Sequence, residues 1–522
     1  MAVDSENLVT EDKQTAVLVN LIWMLVFAVL VMLTQIGSLS TEVLDWDEST
    51  FALMAQSVAR GHLPFVELFD LKPPVLFLAL GGWMSVFGDT LWSLRAFGDA
   101  CLLVICCFTF LTASRSAGAF SAGLGTLFLI SLSASGFAQH TQTEHLAMAF
   151  LMPAVYLASS PSLTPARLAA AGLLVSLAVL TRSNLGLVAV TLGIYLLIVL
   201  RGQGMRGAAG RVSSYIVGGM VPVVLLVGVY AAQGELATLK LAMIDAPISY
   251  ASREDGSIMN TLSAHAVYWG GRILHEPLLF ASATLVLAGA FVVLAIQLPG
   301  RSGRTYLLGE RTVLATGFVL IAVLLSIILG GAAYSHYWNQ VFPLLAVLVA
   351  CGISRATGSR IVHGAGVAGV LVMVAGALAI TLPSAIGVFE NRGRLQDAHF
   401  VQKAARVILA SDIADKRVWA MNYQIVHMYL NSVPLSRALT HPANINPDSS
   451  VYRPLADAGY VSGDEVGRLM DLKPAFIVAK DMPPWYFSET TGARVGSWIE
   501  ENYTVYRQLG DLVIYLHKDH AG

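Results

Sequence analysis

The chain has 522 residues, of which 56% are hydrophobic and only 13% charged, with a formal net charge of -2. A soluble domain carries roughly 25% charged residues, so this composition excludes an ordinary soluble globular protein. No basic balance points to nucleic acid as a partner. The chain reads as a polytopic α-helical membrane protein.

At the N-terminus, residues 1–15, "MAVDSENLVTEDKQT", lack the basic segment of a cleaved signal. The first apolar run is therefore expected to stay as a span, with residues 1–15 cytoplasmic. Windows of about 20 apolar residues mark membrane helices, and they predict about eleven: 16–36, 91–113, 118–137, 144–159, 168–182, 184–200, 212–232, 276–297, 312–332, 337–354 and 361–385. The apolar stretch 73–87 is short, and arginine placement decides its fate. If it does not cross, the cytoplasmic loops hold Arg115, Arg167, Arg201, Arg206, Arg211, Arg301, Arg304, Arg311, Arg355 and Arg360, against the single acid Glu310. If it crosses, all these arginines fall outside. We therefore read 73–87 as interfacial or re-entrant and 37–88 as a large external loop. The runs "GLGTLFLISLSASG" and "VGGMVPVVLLVGVY" carry small residues that let membrane helices approach closely. Cys101, Cys106, Cys107 and Cys351 all lie in apolar runs and read as buried hydrophobes.

The membrane part ends near 387, and residues 388–522 change character. Charge density rises. "RVWAM", "AFIVAK" and "DLVIYLHK" have the look of short buried strands, and "DAHFVQKAARVILAS" has helical apolar spacing. This predicts an extracytoplasmic α/β domain.

With this orientation, polar residues pile up at the outer span ends. The first loop offers Asp45, Asp47, Glu48, Glu67, Asp70 and Lys72. The next spans and turns add Arg95 and Asp99 at helical spacing, His140, Gln142, Glu144 and His145, Arg182, the loop residues Arg253, Glu254 and Asp255, and the "YSHYWNQ" turn with His336, Tyr337 and Gln340. Ionisable groups at or in a membrane are costly to bury and so are functional candidates. Bland readings stand beside this one. Asp47 or Glu48 suits a helix cap, Lys72 suits snorkelling to headgroups, Arg95 and Asp99 suit a structural ion pair, and "SHYWN" suits an interfacial aromatic belt. His140, Glu144, His145 and His336 are metal-ligating types, but their spacing matches no closed site. No cofactor is firmly implied, and a divalent metal at these residues is the minor alternative.

Three motifs in order, Asp47-Glu48, Gly61-His62-Leu63-Pro64-Phe65 and Lys72-Pro73-Pro74, resemble the first external loop of membrane-embedded C-type glycosyltransferases, the bacterial protein O-mannosyltransferase and lipid A aminoarabinose transferase group. "LWSLRAFGD" with Arg95, "TEHLAMAF" with Glu144, "LTRSN" with Arg182 and "HYWNQVFP" with Tyr337 also look like landmarks of that group, over roughly residues 16–385. The resemblance implies an inverting glycosyltransferase of the cytoplasmic membrane, acting on its outer face. It would move a sugar from a polyprenyl-phosphate donor to a glycan, lipid or protein acceptor. It implies Asp47 as general base with Glu48 as fallback. Lys72 and Arg182, with Tyr337 and His336, would hold the donor phosphate. Arg95, Glu144, His140, His145 and Gln340 would line the substrate cavity. The chain departs from the group at Arg182, where relatives often carry lysine, and at Gln142, where some carry a second acid. A transporter or flippase of lipid-linked sugars is the competing class, which would place polar groups at the membrane midplane. A catalytically silent binding subunit is the other, against which the retention of Asp47 and Lys72 counts.

Overall fold

The computed structural model describes residues 2–135, 141–252, 258–297, 311–331, 334–395, 399–480, 482, 484 and 486–520. His140, Arg253, Glu254, Asp255, Arg301, Arg304 and Glu310 lie outside them. The membrane part is a run of helices: α1 (Ala2–Gln35), α2 (Trp46–Ala59), α3 (Val75–Phe87), α4 (Leu91–Ser133), α5 (Thr143–Ala158), α6 (Pro165–Val179), α7 (Gly186–Leu200) and α8 (Met205–Ala232) come first. After them follow α9 (Leu236–Lys240), α10 (Ala246–Ala251), α11 (Ile258–His275), α12 (Pro277–Gln297), α13 (Arg311–Leu329), α14 (Phe342–Arg355) and α15 (Arg360–Glu390).

Every predicted span falls on one of these helices, but their lengths differ from expectation. Seven helices among the described residues are long and apolar enough to cross a membrane. One of them, α4, holds two predicted spans as two helical arms that meet at Gly118, whose non-helical backbone with a φ of 72° suits glycine. The spans predicted at 144–159, 168–182 and 337–354 become α5, α6 and α14, of 16, 15 and 14 residues. A full crossing needs about 20. The window at 337–354 begins in the turn before α14, while those at 144–159 and 168–182 have the lengths of α5 and α6 and sit one and three residues later. The outer surface of the bundle is apolar, as at Leu25, Val217, Leu225 and Leu285, the inverse of a soluble protein and the arrangement lipid requires. Both glycine-bearing runs sit at close helix contacts. A methyl group at Gly125 would strike the Ala346 carbonyl of α14, and one at Gly218 would strike the Ala169 carbonyl of α6.

Between α1 and α4 the chain makes a folded loop. Asp45 caps α2, its Oδ1 accepting the Asp47 N–H at 2.8 Å. Phe65 ends the Gly61–Phe65 motif with a φ of 71°. This left-handed backbone is unfavourable for a bulky residue. Burial of its ring against Phe77 and a hydrogen bond from Tyr460 to its carbonyl over-determine it.

The C-terminal part opens with α16 (Phe400–Ala410), whose buried face is Val401, Ala404, Ala405 and Ile408. It contains a four-stranded sheet of order β1-β2-β4-β3, with β1 (Val418–Ala420), β2 (Phe476–Ala479), β3 (Tyr503–Leu509) and β4 (Leu512–His517). β1 and β2 pair in parallel, and the other pairs are antiparallel. The strands expected around 418, 476 and 512 are β1, β2 and β4. β3 was missed because its interior residues are almost all exposed, so its sequence shows no apolar alternation.

This part is tied directly to the first loop. Glu42 accepts the Val401 and Gln402 N–H groups at the start of α16, at 2.8 and 2.7 Å. Thr50 donates to the Thr440 carbonyl at 2.8 Å, and the Phe69 N–H donates to the Arg437 carbonyl at 2.8 Å. The segment 437–441 is thereby pinned over the N-terminal half of α2.

Candidate functional site

Five chain segments bring polar residues to one place. Asp47 stands in the first turn of α2, and Lys72 precedes the Pro73-Pro74 start of α3. Glu144 stands in the first turn of α5, where the positive helix end favours an acid. Arg182 follows the C-terminus of α6. A 3₁₀ turn, Ser335–Gln340, supplies His336 and Tyr337. α5 and α6 run antiparallel, so their other ends, at residues 158–165, lie about 24 Å away.

The cluster is built from two ion pairs. Lys72 Nζ lies 2.9 Å from Asp47 Oδ2, with side chains 27% and 18% exposed. Arg182 Nη1 lies 2.9 Å from Glu144 Oε1, and that acid is fully buried. Thr143 accepts a further hydrogen bond from Arg182 and donates to Glu144. The guanidinium stacks 4.4 Å over the Tyr337 ring. His336 Nε2 stands 3.7 Å from the same Glu144 oxygen, and its ring is parallel to that of Tyr334.

Charges link the two pairs. Burial pulls the Asp47 carboxyl upward, but Lys72 outweighs it, helped by His441 and His336, and holds the group well below the usual carboxylate range. Burial pulls Lys72 down, yet Asp47 and Asp70 raise it further, so it stays charged. Asp70 is pushed up to about 6 by burial, with Asp47 adding to the rise against the pull of Lys72. Its Oδ1 accepts the Lys72 N–H at 2.7 Å and so sets the backbone there. His336 is lowered by burial and by Arg182, against the pull of Glu144, Asp47 and Asp45.

The structure gives the other expected residues other partners. Glu48 turns away from Lys72. It forms a buried ion pair with Arg95 at 3.0 Å, both side chains 2% exposed, and accepts the Thr141 N–H at 3.0 Å. Arg95 also donates to the carbonyls of Ser38, Thr41 and Glu42. Its partner is Glu48, not Asp99, and the pair braces the loop rather than lining a cavity with Asp47. His145 Nδ1 accepts the Gln142 N–H at the start of α5, a capping role. Gln340 is buried and accepts from Asn184 at 3.1 Å. Among the described residues, no group of three or more His, Cys, Asp or Glu side chains converges to hold a metal ion.

Sequence reasoning missed His441. It comes from the C-terminal part, packs edge-on against Trp46 at 5.7 Å, and acts electrostatically on Asp47 and Lys72. Its Nδ1 accepts the Ala443 N–H at 3.3 Å, which leaves the proton of the neutral ring on Nε2. Nothing local in the sequence joins position 441 to position 47.

No family model and no curated protein sequence matches the chain. Solved structures do. ArnT from Cupriavidus metallidurans bound to undecaprenyl phosphate superposes with a TM-score of 0.65 at 15% identity, over 94% of this chain and 97% of that one. Its apo state gives 0.63 at 14% identity over the same shares. The Archaeoglobus fulgidus oligosaccharyltransferase in its apo form gives 0.50 at 13% identity, over 88% of this chain and 69% of that one. The chain has a GT-C-like fold. Within this GT-C-like frame, the loop between α1 and α4 and the C-terminal part meet over the start of α2, and the two ion pairs stand beside that junction.

Proposed function

We propose that the protein is an inverting glycosyltransferase that moves a sugar from a polyprenyl-phosphate donor to an acceptor. The observation that carries this reading is the approach of two cations, Lys72 and Arg182, from separate segments, beside the ionised carboxylate of Asp47. An inverting transfer needs a base for the acceptor proton and positive charge for the departing phosphate. Asp47 supplies the first, Lys72 and Arg182 the second. Arginine at 182 offers a planar fork that fits phosphate bidentately, and Tyr337 backs its flat face. The GT-C-like fold supports the reading, since ArnT of that fold holds undecaprenyl phosphate. The polar groups stand at helix ends, which favours transfer chemistry over a transporter's midplane site.

In this reading the chain crosses the cytoplasmic membrane about eleven times, counting both arms of α4 and the shorter α5, α6 and α14, with the site and the C-terminal domain extracytoplasmic. The arginines support that orientation. Arg115, Arg167, Arg211 and Arg311 all donate to carbonyls between Tyr156 and Leu163, at the end of α5 and α6 opposite the site. Positive residues favour the cytoplasmic side.

The test is incubation of the purified protein with a panel of polyprenyl-phosphate sugars, scoring release of free lipid phosphate. Release from one donor in the presence of an acceptor is expected. No release from any donor, with the protein folded, would overturn the reading.

A further inference from the structure

Both cations proposed to hold phosphate are paired with carboxylates. Lys72 is held by Asp47 and Arg182 by Glu144, each at 2.9 Å. A donor phosphate thus competes with these carboxylates for the two cations. Asp47 is partly exposed, so water can take over when Lys72 leaves. Glu144 is fully buried, and a buried carboxylate stripped of its partner is strongly disfavoured. One group stands ready beside it, His336, with Nε2 3.7 Å from the oxygen that Arg182 now holds.

We propose that donor binding proceeds by exchange of partners: the phosphate draws Lys72 and Arg182 from their carboxylates, and His336 takes up a proton on Nε2 and replaces Arg182 at Glu144. This rests on the reading of Lys72 and Arg182 as the phosphate site. The charges around His336 favour the exchange. It faces Glu144 and Arg182 from the ends of α5 and α6, Asp47 and Asp45 from the start of α2, and the rings of Tyr334 and Tyr337 from its own turn. With Arg182 against Glu144, burial and the guanidinium keep the imidazole neutral. When the guanidinium turns to an anion, its repulsion is offset by the phosphate while Glu144, Asp47 and Asp45 remain. The proton comes from solvent, and no bond other than N–H forms. His336 is thus a positioning residue. It stabilises the carboxylate that the donor leaves behind, and it couples donor binding to proton uptake.

The experiment uses the full chain in detergent and the methyl ester of undecaprenyl phosphate. This diester carries one fixed charge, as a lipid-phosphate sugar does, and does not titrate. Calorimetry at neutral pH in two buffers of different ionisation enthalpy reads the protons taken up on binding. Wild type should take up on the order of one proton per site. His336→Gln, which keeps a hydrogen-bond donor but cannot charge, should bind more weakly and lose most of that uptake. His336→Asn serves the same purpose if the glutamine variant does not fold. A second reading comes from wild type alone: its affinity for the diester should fall as pH rises through the histidine range. Binding by wild type with no proton uptake, or equal uptake by wild type and variant, overturns the exchange and leaves the phosphate site standing. Failure of the lipid phosphodiester to bind at all overturns both.

Discussion

Glu48 and Arg95 form an ion pair 3.0 Å apart with only 2% of either side chain exposed, one residue along α2 from an acid whose partner is Lys72. Two adjacent carboxylates thus serve opposite ends. Glu48 is sealed and multiply bonded, while Asp47 is reachable and shares its cation with the candidate phosphate site.

Glu48→Gln should therefore act on stability. It leaves Arg95 buried without its counter-charge, a loss of roughly 3–5 kcal/mol for a buried pair. Thermal unfolding in detergent should show a large drop in Tm. Glu48→Gln combined with Arg95→Met should recover much of it. A stable Glu48→Gln protein that has lost transfer would instead assign Glu48 to the chemistry.

Asp47→Asn should lower transfer by ~10²–10⁴-fold, the usual contribution of a positioned general base. Folding should be retained, because Asp45 and not Asp47 caps α2. Lipid phosphate should bind at least as well, since Lys72 no longer has a competing carboxylate. Full activity in this variant removes Asp47 as the base.

Lys72→Met should weaken donor binding more than acceptor binding. It should also move the acidic limb of the kcat/KM profile, which reports groups of the free enzyme. Lys72 is the main charge holding Asp47 below the usual range. Without it the Asp47 carboxyl rises, and activity should fall off at a higher pH than in wild type. An unmoved limb would separate Asp47 from the titration.

Asp70 supplies a stability test with the opposite sign. Its carboxyl titrates near 6 when folded and near 3.9 in an unfolded chain. Between these values the folded state binds more protons, so this group makes stability fall as pH rises from about 4 to 6. Asp70→Asn keeps the oxygen that accepts the Lys72 N–H and removes the titration. The variant should be more stable than wild type above pH 6, and its Tm should depend less on pH within that window.

The α6–α8 contact tests the packing. A side chain at Gly172 would strike the Tyr215 carbonyl of α8. Gly172→Val should cost about 1–3 kcal/mol, as overpacking does. Gly228→Val, on the same α8 but with open space around it, should be close to neutral in the same unfolding assay.

Much of this was legible along the chain because the physics is local. Apolar runs of membrane length, glycine-bearing helix contacts, the period of α16 and the buried strands β1, β2 and β4 are written in consecutive residues. So is the arginine bias that suggests sidedness. The first-loop motifs drew attention to Asp47 and Lys72 without showing that they touch. What was illegible depends on partners far apart. The partner of Arg95 lies 47 positions away, not at the helical spacing where Asp99 stands. His441 reaches Asp47 from nearly 400 positions further on. β3 has no apolar alternation to betray it, and α14 stops short of the run that announced it.

The sequence by itself determined the membrane class, the helix positions and the cast of ionisable residues, because burial in lipid and helical periodicity act on neighbouring residues. Only the tertiary structure decided which acid meets which cation. Ion pairing depends on distance in space, and the fold alone sets Asp47 against Lys72, Glu144 against Arg182, and Glu48 apart from both.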